Sequence, residues 1–148
     1  MYAKSNAIAS YGRIANTESD PLEQVVLLYD GAIRFIRLAQ DDIKYGRLAE
    51  KAEHVNRALD IITYLQGILD FERGAEVAQT LDNLYTLVSM HVLQASAKLD
   101  ESAMLKAAEL LIPVRDSWHV VARSVQKTSM PPDPLPQEHR RLGHLVIG

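Results

Sequence analysis

The sequence predicts an all-α fold, an antiparallel up-down four-helix bundle with a short N-terminal arm and a flexible C-terminal tail. Three observations carry that reading. Apolar residues recur at spacings of three and four along four long segments, and no alternating strand pattern competes with them. The breaks between segments are only a few residues long, which makes consecutive helices antiparallel neighbours. The seven glycines and six prolines fall mainly at or beyond those breaks, with four prolines crowded into 131–136.

The first helix opens at Asp20-Pro21-Leu22-Glu23. Asp20 is suited to accept first-turn N–H groups, Pro21 loses no hydrogen bond at the first helical position, and Glu23 can complete a capping box. Its stripe is Leu22, Val25, Tyr29, Ala32, Ile33, Ile36 and Ile43, and Gly46 suits the left-handed position that ends it. The second helix spans about 48–71, with Val55, Leu59, Ile62 and Leu65 central to its stripe. A turn at Glu72-Arg73-Gly74 leads to a third helix near Ala75, with Val77, Leu81, Leu84, Tyr85, Val88 and Val92 on one face. Asp100 or Ser102 caps the fourth, whose stripe includes Met104, Ala107, Ala108, Leu111, Trp118 and Val121. Pro113 lies inside it and should kink it near 109–112. Residues 1–19 form the arm, with room for one extra short helix, residues 20–126 the bundle, and residues 127–148 a proline-rich tail read as disordered.

The 148 residues suit one domain, and 47% hydrophobic content suffices for a core. Sixteen Lys and Arg against nineteen Asp and Glu give a net charge of −3, which argues against a bulk nucleic-acid binder. The absence of cysteine removes disulfides, thiol nucleophiles and cysteine zinc sites, and fits a reducing, cytoplasmic setting. No apolar run approaches the ~20 residues of a membrane span, and residues 1–11 do not read as a secretory signal.

Several helices carry more apolar surface than one buried stripe requires. The second adds Ile61, Tyr64 and Ile68, and the third adds Leu87, Met90 and Leu93. Central helices of a small bundle bury two sides, which accounts for part of the surplus. The remainder predicts an uncovered patch suited to an amphipathic helix from another chain. The leader places Ile8, Tyr11 and Ile14 among polar residues, as a strap that either covers part of that groove or packs permanently on the bundle.

Nothing in the sequence assembles an active site, so no enzymatic activity, metal or cofactor is expected. The five histidines form no His-Glu-x-x-His pattern and no paired Glu-x-x-His motifs. No glycine-rich loop precedes a helix, and no nucleophile elbow occurs. One alternative is a histidine phosphotransfer bundle built around His91. Its motif is only loosely matched, because Gln94 and Ala95 stand where that chemistry wants a lysine and a glycine.

The run from Asp20 through Leu28-Tyr29-Asp30-Gly31-Ala32-Ile33-Arg34-Phe35 resembles the opening helix of the FliS family of flagellar secretion chaperones. Asn56, Ala58, Ile61, Ile62 and Leu65 resemble its second helix. Leu69-Asp70, then Gly74-Ala75-Glu76-Val77-Ala78-Gln79 and Leu81-Asp82-Asn83-Leu84-Tyr85, resemble the entry to its third. Leu110-Leu111, Val114-Arg115 and Trp118 resemble its last, and Tyr11 matches a tyrosine frequent in the family's arm. Pro113 and the long tail depart from the pattern.

The resemblance implies a cytoplasmic binder of flagellin's disordered C-terminal segment that blocks premature polymerisation and presents the subunit to the export apparatus, including a component of its gate. The expected client contacts are Ile8, Tyr11, Ile14, Asn56, Ile61, Tyr64, Ile68, Leu87 and Met90. The same spare surface would serve a homodimer.

Overall fold

The computed structural model describes residues 21–128, with side chains through 125. Four helices account for them: α1 (Pro21–Lys44), α2 (Leu48–Gly67), α3 (Phe71–Lys98) and α4 (Glu101–Thr128). Turns of two or three residues separate them, so each runs antiparallel to the one before. α1 packs extensively on α2 and α4, α3 less extensively on α4 and α2, and α1 and α3 barely meet across the diagonal. The described residues therefore form the all-α, up-down bundle that the periodicity predicts. The arm at 1–19, Asp20 and the tail beyond 128 lie outside them.

Local chemistry explains each break. Gly46 ends α1 at φ 71°, a left-handed conformation that glycine adopts without penalty, with nothing within 4 Å of where a Cβ would stand. The Asp42 carbonyl accepts the Arg47 N–H at 2.8 Å and closes that turn. Asp70 caps α3 by accepting the Arg73 N–H at 3.0 Å, and Asp100 caps α4 through the Ala103 N–H at the same distance.

The boundaries differ from the sequence reading at one junction. α2 stops at Gly67 and α3 starts at Phe71, because Asp70 captures the first free N–H groups ahead of Gly74. Ala75 then interrupts the helical backbone at φ 28°, ψ −99°, so α3 has a leading turn and a main helix. α4 continues through Pro113, which is exposed together with Glu109. The carbonyl that loses its N–H partner there faces water.

The core is built from Tyr29, Ala32, Ile36 and Ala39 of α1, Ala58, Ile61, Ile62 and Leu65 of α2, Val88 and Val92 of α3, and Met104, Ala107, Ala108 and Leu111 of α4. Alanines on α1 and α4 let that pair approach closely. Ile61 corrects the sequence reading: placed there among spare surface residues, it is 0% exposed. α2 has neighbours on two sides and buries a wider arc than one stripe, so Ile61 reaches a partner only if the bundle opens.

Two polar groups run through this interior. The Tyr29 and Tyr85 hydroxyls lie 2.6 Å apart and link α1 to α3 where those helices otherwise barely touch. Burial pushes the Tyr29 hydroxyl up to about 12 while hydrogen bonds from Tyr85 and Trp118 pull it down, and Tyr85 shifts upward for the same first reason. Asp42, 2% exposed, takes Arg47 Nε at 3.0 Å and His54 Nδ1 at 2.5 Å, tying the first turn to α2.

Candidate functional site

Residues 83–97 of α3 contain no Asp, Glu, Lys or Arg. A solvated helix face ordinarily carries such charges, yet this one holds Leu87 at 44% exposure and Met90 and Leu93 at 53% each. At 1.5 Å per residue the uncharged stretch is about 22 Å long. The longest comparable run near α2 is 61–69, Ile-Ile-Thr-Tyr-Leu-Gln-Gly-Ile-Leu, which covers the last turns of α2 and the start of the turn after it, with Tyr64 exposed and Ile68 half-buried.

Hydrogen bonds fix which way each flank turns. Gln66 Nε2 of α2 donates to Asp82 Oδ1 and to Thr86 Oγ1 of α3, both at 3.1 Å. Lys51 Nζ donates to the Ser96 carbonyl at 3.0 Å nearer the other end of the seam. Met90 and Leu93 lie four and seven residues beyond Thr86, within about 40° of it around the helix, so both border the α2–α3 seam. Leu87 is rotated about 100° from Thr86 and faces outward.

Tyr64 points elsewhere. It is about 200° from Gln66 around α2 and about 20° from Arg57, whose guanidinium lies over the Phe35 ring of α1 at 5.7 Å. Tyr64 and Ile68, one turn apart, therefore edge the α1–α2 groove. Asn56 is exposed on α2. Of the expected contacts, the structure thus places Met90 on the α2–α3 seam, Leu87 on the outer face of α3, Tyr64 and Ile68 on the far flank of α2, and Ile61 inside. Ile8, Tyr11 and Ile14 lie outside the described residues.

Leu93 was not among the expected contacts, although it shares the exposure and the uncharged stretch of Met90. Apolar spacing already sets it in the surplus row with Leu87 and Met90, and the gap in charge marks the same stretch. Val77 sits on a predicted core stripe but is exposed, two residues past the break in the helical backbone at Ala75 and between the buried Gly74 and Ala78. His91 is half-buried on α3, with no basic residue on that helix between Arg73 and Lys98.

Among the described residues, no group of three or more His, Cys, Asp or Glu is placed to hold a metal ion. No described helix is long and apolar enough to cross a membrane. What the geometry offers is surface, and the molecule is of the class of helical bundles with uncharged apolar helix faces left open.

Comparison with known proteins makes this specific. Residues 4–125 match the family described as flagellar protein FliS, and the chain belongs to that family. It is similar to the flagellar secretion chaperone FliS of Vibrio cholerae, 26% identical over 130 residues that cover 88% of this chain and 85% of the relative. The FliS chaperone of Salmonella typhimurium is 28% identical over 127 residues, 82% of this chain and 93% of its own. Pseudomonas aeruginosa FliSB is 28% identical over 102 residues, 69% and 81% respectively. These relatives are named as chaperones, a non-enzymatic role.

Proposed function

We propose that this protein is a cytoplasmic export chaperone that binds the C-terminal segment of flagellin, holds it back from premature polymerisation and hands it to the flagellar type III export apparatus, where a gate component is its second partner. The observation that carries the reading is the uncharged stretch of α3 at 83–97 with Leu87, Met90 and Leu93 half open to water. Flagellin's terminal segments assemble by packing amphipathic helices together. An apolar helix face gives such a segment a substitute partner, contacted at every third or fourth residue. Asn56, Tyr64 and Ile68 extend the contact around α2, and the arm residues Ile8, Tyr11 and Ile14 belong to the same set. Separate apolar flanks suit a segment that wraps the bundle as it orders.

The test mixes the protein with a peptide of the flagellin C-terminal segment. A helical circular-dichroism signal above the sum of the two components is expected, and Met90→Asp/Leu93→Asp should weaken calorimetric affinity by at least tenfold while the free bundle keeps its helix content. Full affinity in that variant would remove α3 from the site. No signal gain and no heat of binding would remove the client.

A further inference from the structure

We propose that a second copy of this chain packs antiparallel against the open α3 face, with Leu87 on the two-fold axis, and that the client and the second copy compete for that face. The competition rests on the function proposed above, whereas the pairing does not. Residues 83–97 carry no Asp, Glu, Lys or Arg, so two such faces can meet without burying a charge of that kind. What selects a second copy over an unrelated helix is the order of charge at the two ends of the stretch.

Glu76 stands eleven residues before Leu87, and Lys98 eleven after it. Eleven residues are three helical turns plus about 20°, so the three side chains lie nearly along one line of α3. Both charged groups are exposed, and neither has an ion-pair partner among the described residues. In a parallel pair, Glu76 would face Glu76 and Lys98 would face Lys98. In an antiparallel pair centred on Leu87, each Lys98 instead meets Glu76 of the second copy, about 16 Å from the axis.

The outer charges follow the same symmetry. Arg73, fourteen residues before Leu87, is set opposite Glu101, fourteen after, while Glu72 falls opposite Ser102 and Asp100 opposite Gly74. Arg73 lies ahead of the break at Ala75, and Asp100 and Glu101 lie past the end of α3, so Glu76 and Lys98 define the register. Asp82 is held at the α2 seam by Gln66 and stays out of the contact. Leu87 then packs on its own counterpart, with Met90 of each chain one turn from the axis. A contact between two single helices is smaller than the ~1,200–2,000 Å² of standard stable interfaces, so the pair forms as concentration rises and yields to a client.

Sedimentation velocity of the full chain over a dilution series at low ionic strength measures the pair. A reversible monomer–dimer equilibrium is expected. Leu87→Asp sets two carboxylates on the axis and should raise the dissociation constant at least tenfold, while circular dichroism keeps the helix content of the parent. Glu76→Lys and Lys98→Glu should each raise it about three- to tenfold. The combined Glu76→Lys/Lys98→Glu should return it to within about twofold, because the exchange restores opposite signs only when the helices run antiparallel. A chain that stays monomeric at every concentration overturns the proposal, as does a dimer indifferent to Leu87→Asp or a double variant as weak as its singles. Added flagellin C-terminal peptide should dissolve the dimer into one-to-one complexes. Peptide bound to an intact dimer would overturn the competition and uphold the pairing. A dimer with the expected charge pattern that binds no peptide would uphold the pairing and overturn the function proposed above.

Discussion

The paired hydroxyls of Tyr29 and Tyr85 supply the sharpest test of how α3 is held. Tyr29→Phe deletes one oxygen from a site that is 0% exposed and leaves the Tyr85 hydroxyl, 2.6 Å away, without that partner. It also removes the acceptor for the Trp118 indole N–H. Stranding a buried donor or acceptor costs about 1–3 kcal/mol, and with two groups affected the expected loss is about 2–3 kcal/mol. Tyr85→Phe leaves Tyr29 its Trp118 partner and should cost about 1–2 kcal/mol. The double variant strands less than the two singles together, so it should be more stable than their sum by about 1 kcal/mol. Urea unfolding followed by the fluorescence of Trp118, the sole tryptophan, and by circular dichroism measures all three. With an m-value of about 1–3 kcal/mol/M, Tyr29→Phe lowers the midpoint by about 1 M. Single variants that unfold with the wild-type midpoint, or a double variant whose loss equals the sum, would refute the reasoning.

The same pair makes the protein sensitive to alkali. Below pH 10 the Tyr29 hydroxyl is protonated in both folded and unfolded chains. As pH rises toward about 12 the unfolded chain ionises first, so stability falls by up to about 3 kcal/mol across that window, and a pH series of thermal midpoints should show a smaller fall in Tyr29→Phe. Leu99 ends α3 at φ 52° while half open to solvent, so Leu99→Gly should relieve a left-handed penalty of about 1 kcal/mol and raise the thermal midpoint. A fall of several degrees would instead show that Leu99 is held by packing. Asp42→Ala strips Arg47 and His54 of a buried carboxylate and should cost about 2 kcal/mol by calorimetry, less than a fully enclosed pair because Arg47 can turn to water.

Much of the bundle is legible in the residues because local and long-range signals agree. The stripe from Leu22 to Ile36 on α1 is the stripe that is buried, and Gly46 and Asp100 end and begin helices where their chemistry says they should. The α2–α3 junction misled because Gly74 looks like a breaker, whereas Asp70 starts the helix first and the strain falls on Ala75. The site was less legible. Apolar spacing gives the direction of a side chain around its own helix but not how far a neighbouring helix covers it. Ile61 and Tyr64 belong to the same sequence row, yet one is sealed in the core and the other turns out beside Arg57. The missing charge on 83–97 marks core and interface alike, because charge is excluded from both, and only solvent exposure separates the open surface from the covered one.

The energetics of that open surface limit how a client could use it. Leu87, Met90 and Leu93 are each about half exposed, so completing their burial is worth about 1 kcal/mol apiece, near 3 kcal/mol together. Ordering a disordered segment on binding costs about 2–5 kcal/mol before any loss of translational freedom. The α3 face alone therefore cannot hold such a segment tightly. A free client has to reach further apolar surface in the same event, and the α1–α2 groove at Tyr64 and Ile68 offers it on the opposite flank of α2.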